Sequence, residues 1–209
     1  MDEEHFKLVT YKMNIKKLWG VLIFTILYVL AFALYYLSIR NFEFLWYIAV
    51  LVFFFLLILF TLKKTKFDRF ILWALSIWGF LHMCGGGIKI NGDVMYNLVL
   101  VNLFNISGDI ILKFDQVVHA YGFGVATLVA YYLLKPHLNK RFSKKLIYFL
   151  LVLIGMGFGA LNEIIEFFAV LAIKNTNVGG YFNTSLDLVF NTIGAIIAIV
   201  IIHFKNAKK

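Results

Sequence analysis

The hydrophobic residues of this chain come in six long runs, and short polar or charged segments separate them. Each run is about 20 residues long, the length that an α-helix needs to cross the hydrocarbon of a membrane. This pattern predicts an all-α fold, a six-span transmembrane helical bundle that forms a single integral membrane domain over residues 1–209. The predicted spans are Leu18–Ile39, Phe42–Leu62, Phe70–Lys89, Ile110–Leu134, Leu146–Ile173 and Phe182–Phe204.

Composition agrees with this interpretation, since 62% of the residues are hydrophobic and 18% are aromatic. A single proline leaves the helices largely uninterrupted. The first run is too long for a cleavable signal peptide, and no small-residue cleavage site follows it. The third run ends in Gly85-Gly86-Gly87, and we expect these glycines to end or distort its helix.

Basic residues are distributed unevenly between the two sides of the predicted bundle. Of the 20 Lys and Arg residues, 16 lie before the first span, after the second, after the fourth or after the sixth. Cytoplasmic loops carry such an excess, so both termini are predicted to be cytoplasmic in a multi-pass protein of the cell membrane. The net charge of +9 is then a topology feature, and no basic face favours nucleic acid. The four basic residues on the predicted outer side are Arg40, Lys89, Lys113 and Lys174.

Polar and ionisable residues interrupt four of the predicted spans at similar depth. Counting 1.5 Å per residue places them roughly 8 to 16 Å from the predicted outer ends of their helices. Ionisable groups inside a membrane are costly and usually functional, so one shared site is predicted in the outer half of the bilayer. The residues are His82, Asp115, His119, Glu163, Glu166, Asp187 and Asn191, and Asn183 lies four residues before Asp187 on the same helix face.

The spacing within each helix places these groups on one face. Asp115 and His119 are four residues apart, and Glu163 and Glu166 are three apart. Several buried carboxylates without a Lys or Arg partner need a counter-charge, and a divalent metal, hypothetically Zn²⁺, supplies it. Protonated carboxyls acting as a proton relay are the alternative. The predicted metal ligands are His82, Asp115, His119, Glu163, Glu166 and Asp187, with Glu163 and Glu166 also catalytic and with Asn183 and Asn191 as outer hydrogen-bond partners.

Four motifs in order, HMCGGG, FDQVVH, NEIIEF and NTSLDLVFNTIGA, resemble the YjdF-like family of membrane proteins and the broader VanZ-like pattern. The resemblance covers roughly His82 to Ala195 and implies a helical bundle in the cell membrane with the same polar residues as its functional set. VanZ-like proteins are associated with low-level teicoplanin resistance, from which no reaction follows. The family often has Asp where this chain has Asn183, which implies a lost or weakened ligand.

Three functional classes fit these observations. The first is a metal-dependent hydrolase or transferase whose partner is a membrane lipid or lipid-linked substrate. The second is a proton- or cation-coupled transporter, and the third is a non-catalytic lipid- or metal-binding protein. The first is favoured, because no broken-helix pair in two related halves is evident. The segment Ile88–Asp109 is predicted to lie at the interface or to fold over the site as a lid. The sequence indicates no oligomeric state.

Overall fold

A computed structural model of the chain describes residues 18–106, 109–138, 142–174 and 176–207. Within them, six α-helices are long and apolar enough to cross a membrane, as the hydrophobic runs predict. Side chains such as Leu34 and Phe60 are 69% and 83% exposed, as expected of a surface that faces lipid. The helices are α1 (Trp19–Ser38), α2 (Phe42–Thr65), α3 (Arg69–Gly87), α4 (Phe114–Leu134), α5 (Lys144–Ala172) and α6 (Tyr181–Ala207).

The segment between α3 and α4 contains two antiparallel hairpins that the sequence analysis did not predict. Strands β1 (Lys89–Ile90) and β2 (Asp93–Val94) pair first. Strands β3 (Val99–Ile106) and β4 (Asp109–Lys113) pair next, with irregular register. The predicted start of the fourth span at Ile110 is therefore wrong, because Ile110–Lys113 belong to β4. Asp115 lies in the first turn of α4, and not roughly 8 Å below its outer end.

Helix α4 is central, since it packs against α3, α5 and α6. Its closest neighbour is α6, where Gly124 and Gly194 face each other. A Cβ atom at Gly194 would overlap the carbonyl oxygen of Ala120. On α5, Gly155 lies against Ala195 of α6. Small residues allow membrane helices to approach closely, and they bring the polar faces of α4, α5 and α6 together here.

The three consecutive glycines do not break α3, because the helix continues through Gly87 before it ends. They are buried, and each leaves room for an aromatic ring. Tyr96 covers Gly85, and Phe44 covers Gly86. The expected helix end is thus confirmed at Gly87, and the distortion is not seen. The glycines bring the loop residue Tyr96 and the start of α2 against the C-terminal end of α3.

The orientation of the bundle stays a prediction of the charge asymmetry. Reporter fusions after Lys64 and Lys140 are expected to be active in the cytoplasm, and fusions after Asp93 and Asn177 outside it. A cytoplasmic result at Asp93 would contradict the orientation and the location of the polar residues in the outer half. Several basic residues behind this prediction lie outside the described part of the chain: Lys7, Lys12, Lys16, Lys17, Lys140, Arg141, Lys208 and Lys209.

Candidate metal and proton-transfer site

Two carboxylates and one imidazole converge where the N-terminal parts of α4 and α6 meet. Asp115, His119 and Asp187 each offer a ligand atom, and these atoms lie within 4.8 Å of one another. The Asn183 amide nitrogen donates to Asp115 Oδ2 at 3.1 Å and to Asp187 Oδ2 at 2.6 Å. Gln116 donates to Asp187 Oδ1 at 3.0 Å. The two acids are therefore held side by side by amide donors and not by a basic side chain.

Asn191 fixes the ring of His119. Its amide oxygen lies 3.0 Å from His119 Nδ1, and the Asn191 side chain is fully buried. An amide oxygen can only accept a hydrogen bond, so Nδ1 carries the proton in a neutral ring. Nε2 then presents a lone pair towards Asp115 Oδ1, 3.6 Å away. Two electron-rich atoms face each other at this point, which is unfavourable unless a proton or a cation lies between them.

A second group lies on the α5 side of the same histidine. His119, Glu163 and Glu166 also offer ligand atoms within 4.8 Å of one another. Glu163 Oε1 lies 3.8 Å from His119 Nδ1, which is too far for a hydrogen bond. That oxygen is buried and has no hydrogen-bond partner. Asn162 donates to Glu166 Oε1 at 2.8 Å, so Glu166 is restrained.

The site is rich in acids and poor in cations. Asp115, Asp187, Glu163 and Glu166 surround one imidazole, and the described residues place no Lys or Arg within ion-pair distance of them. Tyr96, from the loop above α3, lies next to this charge. Burial raises the pKa of its phenol well above the ordinary value, and the charges of Asp115 and Glu166 raise it further. Tyr96 is therefore a neutral hydrogen-bonding group in this setting.

His82 lies outside both groups of candidate ligands. Its Nδ1 contacts the Tyr96 hydroxyl, and its ring meets the Tyr47 ring edge to face at 5.3 Å. The same hydroxyl lies 3.1 Å from the His82 carbonyl oxygen. Tyr96 thus ties the loop before the β3–β4 hairpin to the C-terminal end of α3, and the position of this segment at the interface or over the site stays a prediction.

Seven of the eight predicted polar residues thus form one connected site. Sequence reasoning missed Gln116 and Asn162, which orient acids, and the contact of Tyr96 with His82. Gln116 and Asn162 each adjoin a predicted acid in FDQVVH and NEIIEF, and this adjacency was the available clue. No sequence pattern predicted the Tyr96–His82 contact, since it depends on how the loop folds back. The connected residues are Asp115, His119, Glu163, Glu166, Asn183, Asp187 and Asn191.

Gly159 supports this site from below, and a matched glycine tests its role. A Cβ atom at position 159 would lie 2.6 Å from Asn191 Nδ2 and 2.9 Å from Asn191 Cβ. Gly159→Ala is therefore expected to displace Asn191 and to destabilise the protein by about 1–3 kcal/mol. Gly157→Ala is the control, because a Cβ there meets nothing within 4 Å. Thermal unfolding in detergent measures both, and equal midpoints would contradict the packing described here.

The Predicted membrane protein (DUF2238) family model matches residues 20–208, which span all six helices. This is the YjdF-like family of the motif resemblance, and the match does not extend to a VanZ-like relationship. No curated protein and no solved structure matches the chain. A bundle of six membrane-spanning helices agrees with the family description, and the protein is a multi-pass membrane protein. The chain belongs to the DUF2238 family of predicted membrane proteins.

Proposed function

We propose that Asp115, His119 and Asp187 bind a divalent transition-metal ion, hypothetically Zn²⁺. The observation that carries this proposal is the His119 Nε2 lone pair facing Asp115 Oδ1 across 3.6 Å. A cation between these atoms turns their repulsion into coordination. One imidazole and two carboxylates form a ligand set that suits zinc, manganese or iron.

The surrounding amides fit the role of outer partners that orient metal ligands. Asn191 accepts from His119 Nδ1, which leaves Nε2 free for the metal. Asn183 and Gln116 donate to the carboxylates and leave lone pairs for coordination. Asn183 itself is then not a ligand but the bridge between Asp115 and Asp187.

Glu163 and Glu166 are assigned to proton transfer. His119 Nδ1 is occupied by Asn191, so the histidine offers a single nitrogen to a metal. Glu163 approaches the occupied side of the ring at 3.8 Å and keeps a buried oxygen without a partner. A general base needs such an unoccupied oxygen within reach of the reacting atoms. Glu166, held by Asn162, is positioned to share the proton with Glu163.

The reaction class that these roles support is hydrolysis or group transfer at a membrane lipid or lipid-linked substrate. A metal held by Asp115, His119 and Asp187 would polarise a phosphate or carbonyl oxygen of the substrate and lower the pKa of the attacking water. In hydrolysis, the water oxygen would bond to phosphorus or carbon while the bond to the leaving oxygen breaks. Glu163 would take the proton from the water and return it to the leaving oxygen. A lipid is favoured because the site lies within membrane-spanning helices.

The test of this function is lipid turnover by the reconstituted protein. Full-length protein in vesicles of a total membrane lipid extract, supplied with Zn²⁺, is expected to release new lipid products that mass spectrometry detects. EDTA is expected to stop their formation, and Zn²⁺ in excess of EDTA to restore it. Unchanged lipids under all three conditions, in protein that holds metal, would contradict an enzymatic function.

A proton- or cation-coupled transporter is the second candidate. It is favoured by the position of His119 between two acids, at 3.6 Å from Asp115 and 3.8 Å from Glu163. A doubly protonated imidazole would supply the positive charge that the metal supplies in the first proposal. This candidate predicts metal-free protein and proton movement across vesicle membranes, neither of which the enzyme requires.

A further inference from the structure

Helices α2 and α5 meet near the site, and both line a cavity. Where they meet, Ala169 of α5 packs into a cluster with Phe44 and Tyr47 of α2. There, the Glu43 carboxylate accepts a hydrogen bond from the Asn177 backbone N–H at 2.8 Å. From Val50 onward, α2 lines the cavity, whose volume is about 580 Å³.

The cavity connects the polar site with the opposite end of the bundle. His82, His119 and Asn162 line it at the site end, and Leu18, Leu62 and Phe67 line it at the far end. Along α4, its wall runs from His119 to Leu133, or roughly 21 Å at 1.5 Å per residue. The volume falls within the usual range of ligand cavities, about 300–1,000 Å³.

The cavity wall is apolar along its middle, where its hydroxyl groups satisfy one another. Thr25 and Ser76 line the cavity, and their hydroxyl oxygens are 2.6 Å apart in a hydrogen bond. Thr25 also donates to the Val21 carbonyl oxygen. Both hydroxyls would therefore keep a hydrogen-bond partner when an apolar ligand fills the cavity.

One polar group near the site end of the cavity is without a partner. The Tyr47 hydroxyl is buried and has no hydrogen-bond partner, and the whole residue is only 7% exposed. Tyr47 lines the cavity, and its ring packs against His82. Buried hydroxyls are normally hydrogen-bonded, so this one fits a ligand that brings an acceptor to the site end.

We propose that this cavity binds one acyl chain of a membrane phospholipid, with its ester linkage at Tyr47 and its headgroup at His119. The Tyr47 hydroxyl donates to an ester oxygen, and the chain extends along α4 towards Leu133. Phospholipid is the molecule that surrounds membrane-spanning helices, and an apolar cavity at that depth excludes water as an alternative occupant. This inference rests on the proposed function for its choice of substrate, and it narrows that substrate to an acyl lipid.

The test measures lipid retention by the full-length protein. Protein delipidated in detergent is titrated with a diacyl phosphatidylglycerol, and bound lipid is counted by native mass spectrometry. Ala126 lines the cavity, so Ala126→Phe is expected to fill it and to weaken binding by roughly tenfold or more. Ala160→Phe is the matched control, because Ala160 is exposed on α5 and does not line the cavity.

One further variant and one treatment keep the result informative. Tyr47→Phe preserves the ring and is expected to weaken phosphatidylglycerol binding by roughly tenfold through the lost hydrogen bond. EDTA removes metal from the wild type and is expected to leave the acyl chain bound, so failure of the metal site would not be mistaken for failure of the cavity. Equal binding by wild type, Ala126→Phe and Tyr47→Phe would overturn the proposal. Binding of a prenyl phosphate but not of phosphatidylglycerol would also overturn it.

Discussion

Replacing His119 by alanine is expected to abolish high-affinity binding of Zn²⁺. The substitution removes the nitrogen that faces Asp115 and the ring that Asn191 orients, while both groups of acids lose their shared member. Loss of an outer-shell partner alone weakens metal affinity about 10–100-fold, so loss of the histidine itself is expected to exceed that range. Isothermal titration of purified protein with Zn²⁺ measures the effect.

The Zn²⁺ affinity of His119→Ala is compared with that of two other variants. Asn191→Ala is expected to fall in the range of about 10–100-fold, because it frees the ring without removing the ligand. His203→Ala is the matched control, since His203 lies near the other end of α6 with its ring against Tyr148 and Phe204. Zn²⁺ affinity unchanged in His119→Ala would show that the metal, if bound, lies elsewhere.

Replacing Glu163 by glutamine is expected to lower lipid turnover by about 10²–10⁴-fold and to leave metal content unchanged. Glutamine has nearly the same shape but cannot take a proton from water. The buried Oε1 of Glu163 has no hydrogen-bond partner. Initial rates of product formation, measured beside the metal content of the same preparation, separate proton transfer from metal binding.

Glu43→Gln provides the matched control for this second prediction. Glu43 is also a buried acid, but it accepts from the Asn177 backbone N–H, and a glutamine oxygen can accept the same bond. Its turnover is expected to equal that of the wild type. If Glu163→Gln loses metal and activity together, Glu163 is a ligand and the division of roles proposed here is wrong.

Hydrophobic run length was sufficient to predict the six helices, because crossing a membrane imposes a minimum length that few other structures share. Periodicity was sufficient to place most of the predicted polar residues on facing helix surfaces. Asp115 with His119, and Asn183 with Asp187 and Asn191, step by four along their helices, and each set does face its neighbours. Membrane depth alone does not predict the position of Asp115 correctly, because its helix begins at Phe114 and not at Ile110.

The hairpins between α3 and α4 were missed although one of them had a local clue. Asn91 and Gly92 both have positive φ, at 54° and 89°, which is the turn chemistry of a tight hairpin. The polar residues around them were interpreted only as a loop. The β3–β4 pair is harder to predict, because its run of valine, leucine and isoleucine fits a strand and the start of a membrane helix equally well.

The position of His82 could not be derived from spacing. Its distance from the outer end of α3 matches that of the other polar residues, yet the Tyr96 hydroxyl and the Tyr47 ring occupy its surroundings. Depth gives the position of a side chain along the bundle axis, but it does not give the direction in which the side chain points. The rotation of α3 about its axis depends on contacts such as Phe44 over Gly86, which no single-sequence pattern encodes.

The metal site at Asp115, His119 and Asp187 is tested most directly by the metal content of wild-type protein purified without chelator. A stoichiometric divalent transition metal is expected by elemental mass spectrometry. EDTA is also expected to lower the unfolding temperature and added Zn²⁺ to restore it, since free metal about 100-fold above Kd stabilises a protein by about 2.7 kcal/mol. Metal-free protein, with a stability that neither EDTA nor Zn²⁺ changes, would contradict the metal site and favour a protonated His119 between Asp115 and Glu163.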